Sequence, residues 1–151
     1  MKETKRISGL FTDIYNGDSW IGETLSGVLA NVSAADAAKK TAPWNSIWEI
    51  VNHIISWRDN VLLRVQGNIM KTPAGNYFTP VTDQSDTAWK NTLHELKLSQ
   101  EKWINFLQIM LEEDLENIYP NNNNTYYHNI HGIIQHDAYH LGQIVLLAKL
   151  N

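Results

Sequence analysis

The sequence predicts an all-α protein, a four-helix bundle with one long crossover connection. Three observations carry this reading. Four long stretches repeat apolar residues with helical period, a polar stretch from Asn68 to Gln84 interrupts them, and no segment alternates apolar and polar residues as a half-buried strand does.

The first helix is expected to start near Glu3 and to break at Asn16-Gly17-Asp18-Ser19, with Ser19 capping a continuation from Trp20 to Leu29. A short turn near Ser33 to Lys40 follows and ends at Pro43. The second long helix is the best marked. Ser46-Ile47-Trp48-Glu49 has the form of a capping box, and Ile47, Ile50, Val51, Ile54, Val61, Leu62 and Val65 then recur with helical spacing until Gly67-Asn68 stops them. The stretch from Asn68 to Gln84, with Pro73, Gly75 and Pro80, is long for a loop in a compact domain. It is either a crossover between distant helix ends or a lid. The third helix is expected from near Ser85 to Met110, carrying Trp89, Leu93, Leu96, Trp103 and Leu107. Glu112 to Glu116 reads as a further turn, Tyr119-Pro120 and four asparagines as a break, and Thr125 to about Leu150 as the last helix.

At 151 residues, the chain is one domain (1–151) able to bury a real core. Its 43% hydrophobic and 19% charged residues are those of a folded globular protein rather than a disordered one. It has no cysteine, which excludes disulfides, thiolate metal ligands and a cysteine nucleophile. The net charge of -4, with basic clusters only at Lys2-Lys5-Arg6 and Lys39-Lys40, argues against direct nucleic-acid binding. No run of about 18 apolar residues is present to span a membrane, and no signal peptide leads the chain, so a cytoplasmic location is expected.

The chemistry-bearing residues are histidines. His136 and His140 stand four apart in the last helix and so project from one face. They border an apolar stripe of Ile130, Ile134, Leu141, Val145 and Ala148, while His53 shares a stripe with Ile50 and Trp57 in the second long helix. Three imidazoles leaning inward are costly unless hydrogen-bonded or bound to an ion. Two readings stay open: core histidines satisfied by hydrogen bonds, or a three-nitrogen metal site with an open position. His94 reads as solvated. His131 lies about 140° around the helix from His136, and His128 is offset along the axis by roughly 12 Å, so neither joins the pair. No histidine has glutamate three residues before it, as a di-iron bundle needs. The chain also lacks a His-Glu-x-x-His protease motif, a Gly-x-Ser-x-Gly elbow and a phosphate-binding glycine loop.

Trp44, Glu49, His53 and Trp57, followed by His136-Asp137-Ala138-Tyr139-His140-Leu141-Gly142-Gln143-Ile144, resemble the second helix and the closing motif of DinB-like proteins. Order and spacing agree over nearly the full chain. Leu141 departs from the commonest form, which has arginine or alanine there. The resemblance implies a bundle with up-down-down-up connectivity, often dimeric, and a divalent metal, zinc or nickel, on His53, His136 and His140. It also implies a small-molecule substrate. Some relatives are S-transferases or isomerases that use a low-molecular-weight thiol such as bacillithiol or mycothiol; others are described as metal-dependent hydrolases.

Three neutral imidazoles leave the full charge on such a metal, which acidifies a bound water or thiol. Three functions are therefore carried forward: a thiol-dependent S-transferase, a hydrolase, and a non-catalytic metal-binding or dimerisation bundle. Asp137, the nearest carboxylate, either caps a neighbouring histidine N–H or faces outward. Gln143 is a candidate contact to a ligand or substrate, against a plain packing amide. Trp57 and Tyr139 either line a pocket or fill core, and Tyr15 and Trp20 are weaker pocket candidates. The scarcity of acids near the histidines favours thiolate chemistry.

Overall fold

The computed structural model describes residues 1–150. It is mostly helical: α1 (Glu3–Asn16), α2 (Leu25–Leu29), α3 (Ala34–Ala38), α4 (Ile47–Val65), α5 (Asp86–Ile109) and α6 (Tyr126–Leu150). A 3-10 turn (Glu112–Glu116) and two short strands, β1 (Ile118–Tyr119) and β2 (Asn124–Thr125), fill the gap before α6. No helix is long and apolar enough to cross a membrane among the described residues.

The long helices follow their sequence signals closely, as does the turn at Glu112–Glu116, and the other short elements do not. The capping box of α4 is present as read. The Glu49 amide donates to Ser46 Oγ at 3.2 Å, and the Ser46 amide donates to Glu49 Oε2 at 2.7 Å. Ser19, by contrast, caps nothing. The chain after α1 stays irregular until Thr24, whose Oγ1 accepts from the Gly27 amide and starts α2. Gly22 takes a left-handed φ of 77°, and Trp20 is wholly exposed, so nothing buried holds a helix over 20–24. The expected turn near Ser33 is the short helix α3, capped by Ser33. Strands were not expected, yet β1 and β2 form an antiparallel pair with Ile118 opposite Thr125. Asn123, at φ 55°, closes that hairpin, and buried Tyr119 pins it by accepting from the Met70 amide at 2.8 Å.

Among the four long helices, α4 packs on α6 and α5, and α1 packs on α5 and α6. Early α4 meets early α5, where Trp48 donates to Thr92 and packs on Trp89. Farther along both helices, Arg58 donates to Gln100. Along α6 the order reverses, with His53 beside His140 and Arg58 beside Asp137. Phe11 of α1 stacks on Trp103 of α5 at 4.7 Å.

The core has two apolar halves. One gathers α2, α3, Trp48, Trp89, Leu96, Leu141 and Ile144. The other gathers Ile7, Phe11, Trp103, Leu107, Ile130 and Ile133. A buried polar layer lies between them. Arg58 Nε donates to Asp137 Oδ2 at 2.8 Å, its NH1 donates to Gln100 Oε1 at 3.0 Å, and Gln100 Nε2 donates to the Phe11 carbonyl at 3.1 Å. Each long helix supplies one member, so the layer ties the four together at a single level.

Glu49 also ties α4 to the chain before it, because Lys40 Nζ lies 2.8 Å from Glu49 Oε1. Burial alone would raise the Glu49 pKa, but the hydrogen bonds from Lys40 and Ser46 outweigh it and hold the carboxyl below its ordinary 4.5. A folded-state pKa below the unfolded value stabilises the fold above about pH 4.5 and ceases to do so as pH falls through the folded value. Glu49→Gln is therefore expected to cost about 1 kcal/mol at pH 7 and less at pH 3. Urea titrations of both proteins at the two pH values check this, and an equal cost at both would refute it.

Candidate metal centre

The histidines of α4 and α6 meet. One ligand atom from each of His53, His136 and His140 lies within 4.8 Å of the others. His53 Nε2 and His136 Nε2 are 2.9 Å apart. The i, i+4 spacing presents the α6 pair on one face, and the packing of α4 on α6 brings His53 to it. The other three histidines stay away, as expected. His94 and His128 are exposed, and half-buried His131 packs on Tyr127.

The remaining ring nitrogens are held from behind. His53 Nδ1 donates to the Asn76 carbonyl at 2.7 Å, and His140 Nδ1 donates to Gln143 Oε1 at 2.7 Å. Both acceptors place the hydrogen on Nδ1 and leave Nε2 with a free lone pair, the form a metal ligand needs. Burial pushes the His53 pKa down to about 4, and the nearby His136 and His140 add to the shift against the pull of the Asn76 carbonyl. Burial also lowers His140, against the opposing hydrogen bond to Gln143. These two rings are thus neutral near pH 7.

His136 completes the pattern. Since His53 Nε2 can only accept, His136 Nε2 is the donor in their 2.9 Å contact. That leaves His136 Nδ1 without a hydrogen-bond partner, 3.6 Å from Asp137 Oδ1, which also has none. Ligation through Nε2 would move the hydrogen to Nδ1, where the carboxylate waits. Three nitrogen donors, two already oriented and the third facing an idle acceptor, fit a divalent cation.

Asp137 does not face outward, one of the two placements the sequence left open. It is fully buried and paired with Arg58, at the centre of the inward face of α6. That face runs through Ile130, Ile133, Asp137, Leu141 and Ile144, and Ile134, Val145 and Ala148 are only partly buried. Gln143 bridges His140 and Tyr139, donating from Nε2 to the Tyr139 hydroxyl at 3.1 Å. Trp57 and Tyr139 line the cavity in front of the histidines. Tyr15 and Trp20 do not. Tyr15 packs against the core, and Trp20 borders a separate hollow with Leu10 and Ile21.

The polar connection after α4 supplies what sequence reading missed. Asn76 and Phe78 line the cavity, and Phe78 stacks on His53 with centroids 3.9 Å apart. Asn76 and Tyr77 hold left-handed φ values of 50° and 62°, a strained conformation for a tyrosine. The Trp57 indole donating to Asn76 Oδ1 and Asn60 Nδ2 donating to the Tyr77 hydroxyl keep it in place. The only advance sign was the length of the stretch. The connection therefore both links α4 to α5 and covers the site.

A family model described as the DinB superfamily matches residues 19–144. The chain belongs to the DinB superfamily. The match takes in all three histidines together with Asn76, Phe78, Asp137 and Gln143. Comparisons with curated proteins and with solved structures found no match for this DinB-superfamily chain.

Proposed function

We propose that this protein is a metal-dependent enzyme that transfers a low-molecular-weight thiol onto a small electrophile. His53, His136 and His140 would hold the ion, zinc or nickel. A divalent ion there supplies Lewis acidity, which lowers the pKa of a thiol or water at its open position. The chain has no cysteine, so the sulfur must arrive on a cosubstrate.

The observation that carries the choice of thiol over water is the lining of the cavity. It includes no aspartate or glutamate among the described residues. A hydrolase needs a base to take a proton from water, whereas a thiol reaches its anion near neutrality with less help. In the transfer, the sulfur attacks an electrophilic carbon and a C–S bond forms. The carbon–leaving group bond breaks, the leaving group takes its electron pair, and the thiol proton passes to solvent. Burial keeps His53 and His140 neutral while Asn76 and Gln143 aim their rings, Asp137 would receive the His136 N–H, and Phe78 and Trp57 shield the reacting atoms from water.

An up-down-down-up bundle is the connectivity we read for the four long helices, supported by the pairwise side-chain contacts described above. A homodimer, supported by the resemblance to DinB-like proteins, and a cytoplasmic location complete the reading.

The test is conjugation. Protein loaded with zinc or nickel, given bacillithiol or 2-mercaptoethanol with benzyl chloride, is expected to form the thioether faster than the metal-free protein does. Equal rates with and without metal would reject the transferase. Ester hydrolysis under the same metal dependence, without conjugation, would point to the hydrolase instead.

A further inference from the structure

The cavity before the histidines, about 890 Å³, has two unlike ends. The three imidazoles line it, with Asn76 and Gln143 hydrogen-bonded to two of them, and form its floor. Its outer wall is apolar, formed by Trp44, Leu146 and Leu150. These side chains are 56%, 65% and 64% exposed, so large apolar groups stand in water beside a reactive floor. The one charged residue lining the cavity among the described residues is Lys149, at the rim.

Apolar surface left in water and continuous with a concave site marks a ligand contact. The occupant must reach both ends. A volume of this size suits one small organic molecule that directs its reactive head to the floor and lays its body on the wall. An indole offers its face to another ring and gains from stacking beyond plain area burial. With no aspartate or glutamate lining the cavity among the described residues, an anionic head meets no like charge from them.

We propose that the outer wall binds the apolar, ring-bearing body of the substrate, and that Trp44 selects it. This deepens the reading of the site as a thiol-transfer centre and rests on it for which end reacts.

Binding by zinc-loaded protein tests this without turnover. Benzyl mercaptan and 2-mercaptoethanol share a head and differ in body; benzyl alcohol keeps the body and drops the thiol. Calorimetry is expected to find benzyl mercaptan roughly tenfold to hundredfold tighter than 2-mercaptoethanol. The ratio should fall by about tenfold in Trp44→Ala and fall also in Leu150→Ser. Equal affinities, or a ratio unmoved in both variants, would overturn the substrate class and leave thiol transfer standing. Benzyl alcohol bound in a Trp44-dependent way while no thiol binds would keep the wall assignment and reject thiol transfer. Failure of every aromatic probe to bind would overturn the proposal. So would a sedimentation dimer that Trp44→Ala converts to monomer, because the wall would then belong to a second copy of the chain.

Discussion

His53→Ala protein is expected to lose stoichiometric divalent metal while keeping its helical content. The wild type, purified without chelator, should carry about one ion per chain, since one ring nitrogen from each of the three histidines lies within 4.8 Å of the others. Removing one leaves two donors from a single helix, which no longer clamp an ion between α4 and α6. The supporting residues should matter less but measurably. Gln143→Leu removes the acceptor that orients His140, and an effect of about 10-fold to 100-fold on metal affinity is expected. Because the ion would bind only the folded chain, saturating metal should also raise wild-type stability, by about 4 kcal/mol at a thousandfold excess over Kd. Elemental analysis, a competition titration and thermal melts read these three quantities. One equivalent of ion retained by His53→Ala would defeat the assignment.

Arg58→Met is expected to be the most damaging core substitution, costing about 3–5 kcal/mol. Arg58 and Asp137 are both fully buried, and the guanidinium also holds Gln100. Deleting the cation leaves a carboxylate in the middle of the helices with no counter-charge, and a buried charge without a partner costs far more than a missing contact. With a total stability of about 5–15 kcal/mol, such a protein stands close to unfolding. The double change Arg58→Met with Asp137→Leu removes both charges and should be more stable than Arg58→Met alone. It should still bind metal more weakly than wild type, since His136 Nδ1 loses the carboxylate 3.6 Å away. Urea titrations of the single and double variants decide the matter. A cost under 1 kcal/mol for Arg58→Met would mean that the layer is not held by charge.

Much of the site was legible because helical spacing converts sequence distance into direction. Four residues put His136 and His140 side by side, and the Ser46–Glu49 box placed the start of α4, and hence the face that carries His53. The buried pair also left a trace. Arg58 follows Ile54 by four and precedes Val61 by three, and Asp137 stands four from both Ile133 and Leu141. Charges on those core stripes announce partners, but periodicity cannot say that they pair with each other across 79 positions. Asn76 and Phe78 left less. Their stretch has no period, and its left-handed residues are an asparagine and a tyrosine rather than glycines. Its path is set by what it packs on, which is the histidine cluster itself.

Local rules account for the long helices, their caps, the paired faces of α6, and the exclusion of cysteine chemistry. Each depends on neighbours within a turn or on composition, and both are written in the chain. Tertiary packing alone decided that α4 lies against α6 so that three rings share a centre. It also turned Asp137 inward onto Arg58 and laid the polar connection over the imidazoles. Those outcomes rest on contacts between residues 23 to 83 positions apart, for which chain order carries no distance.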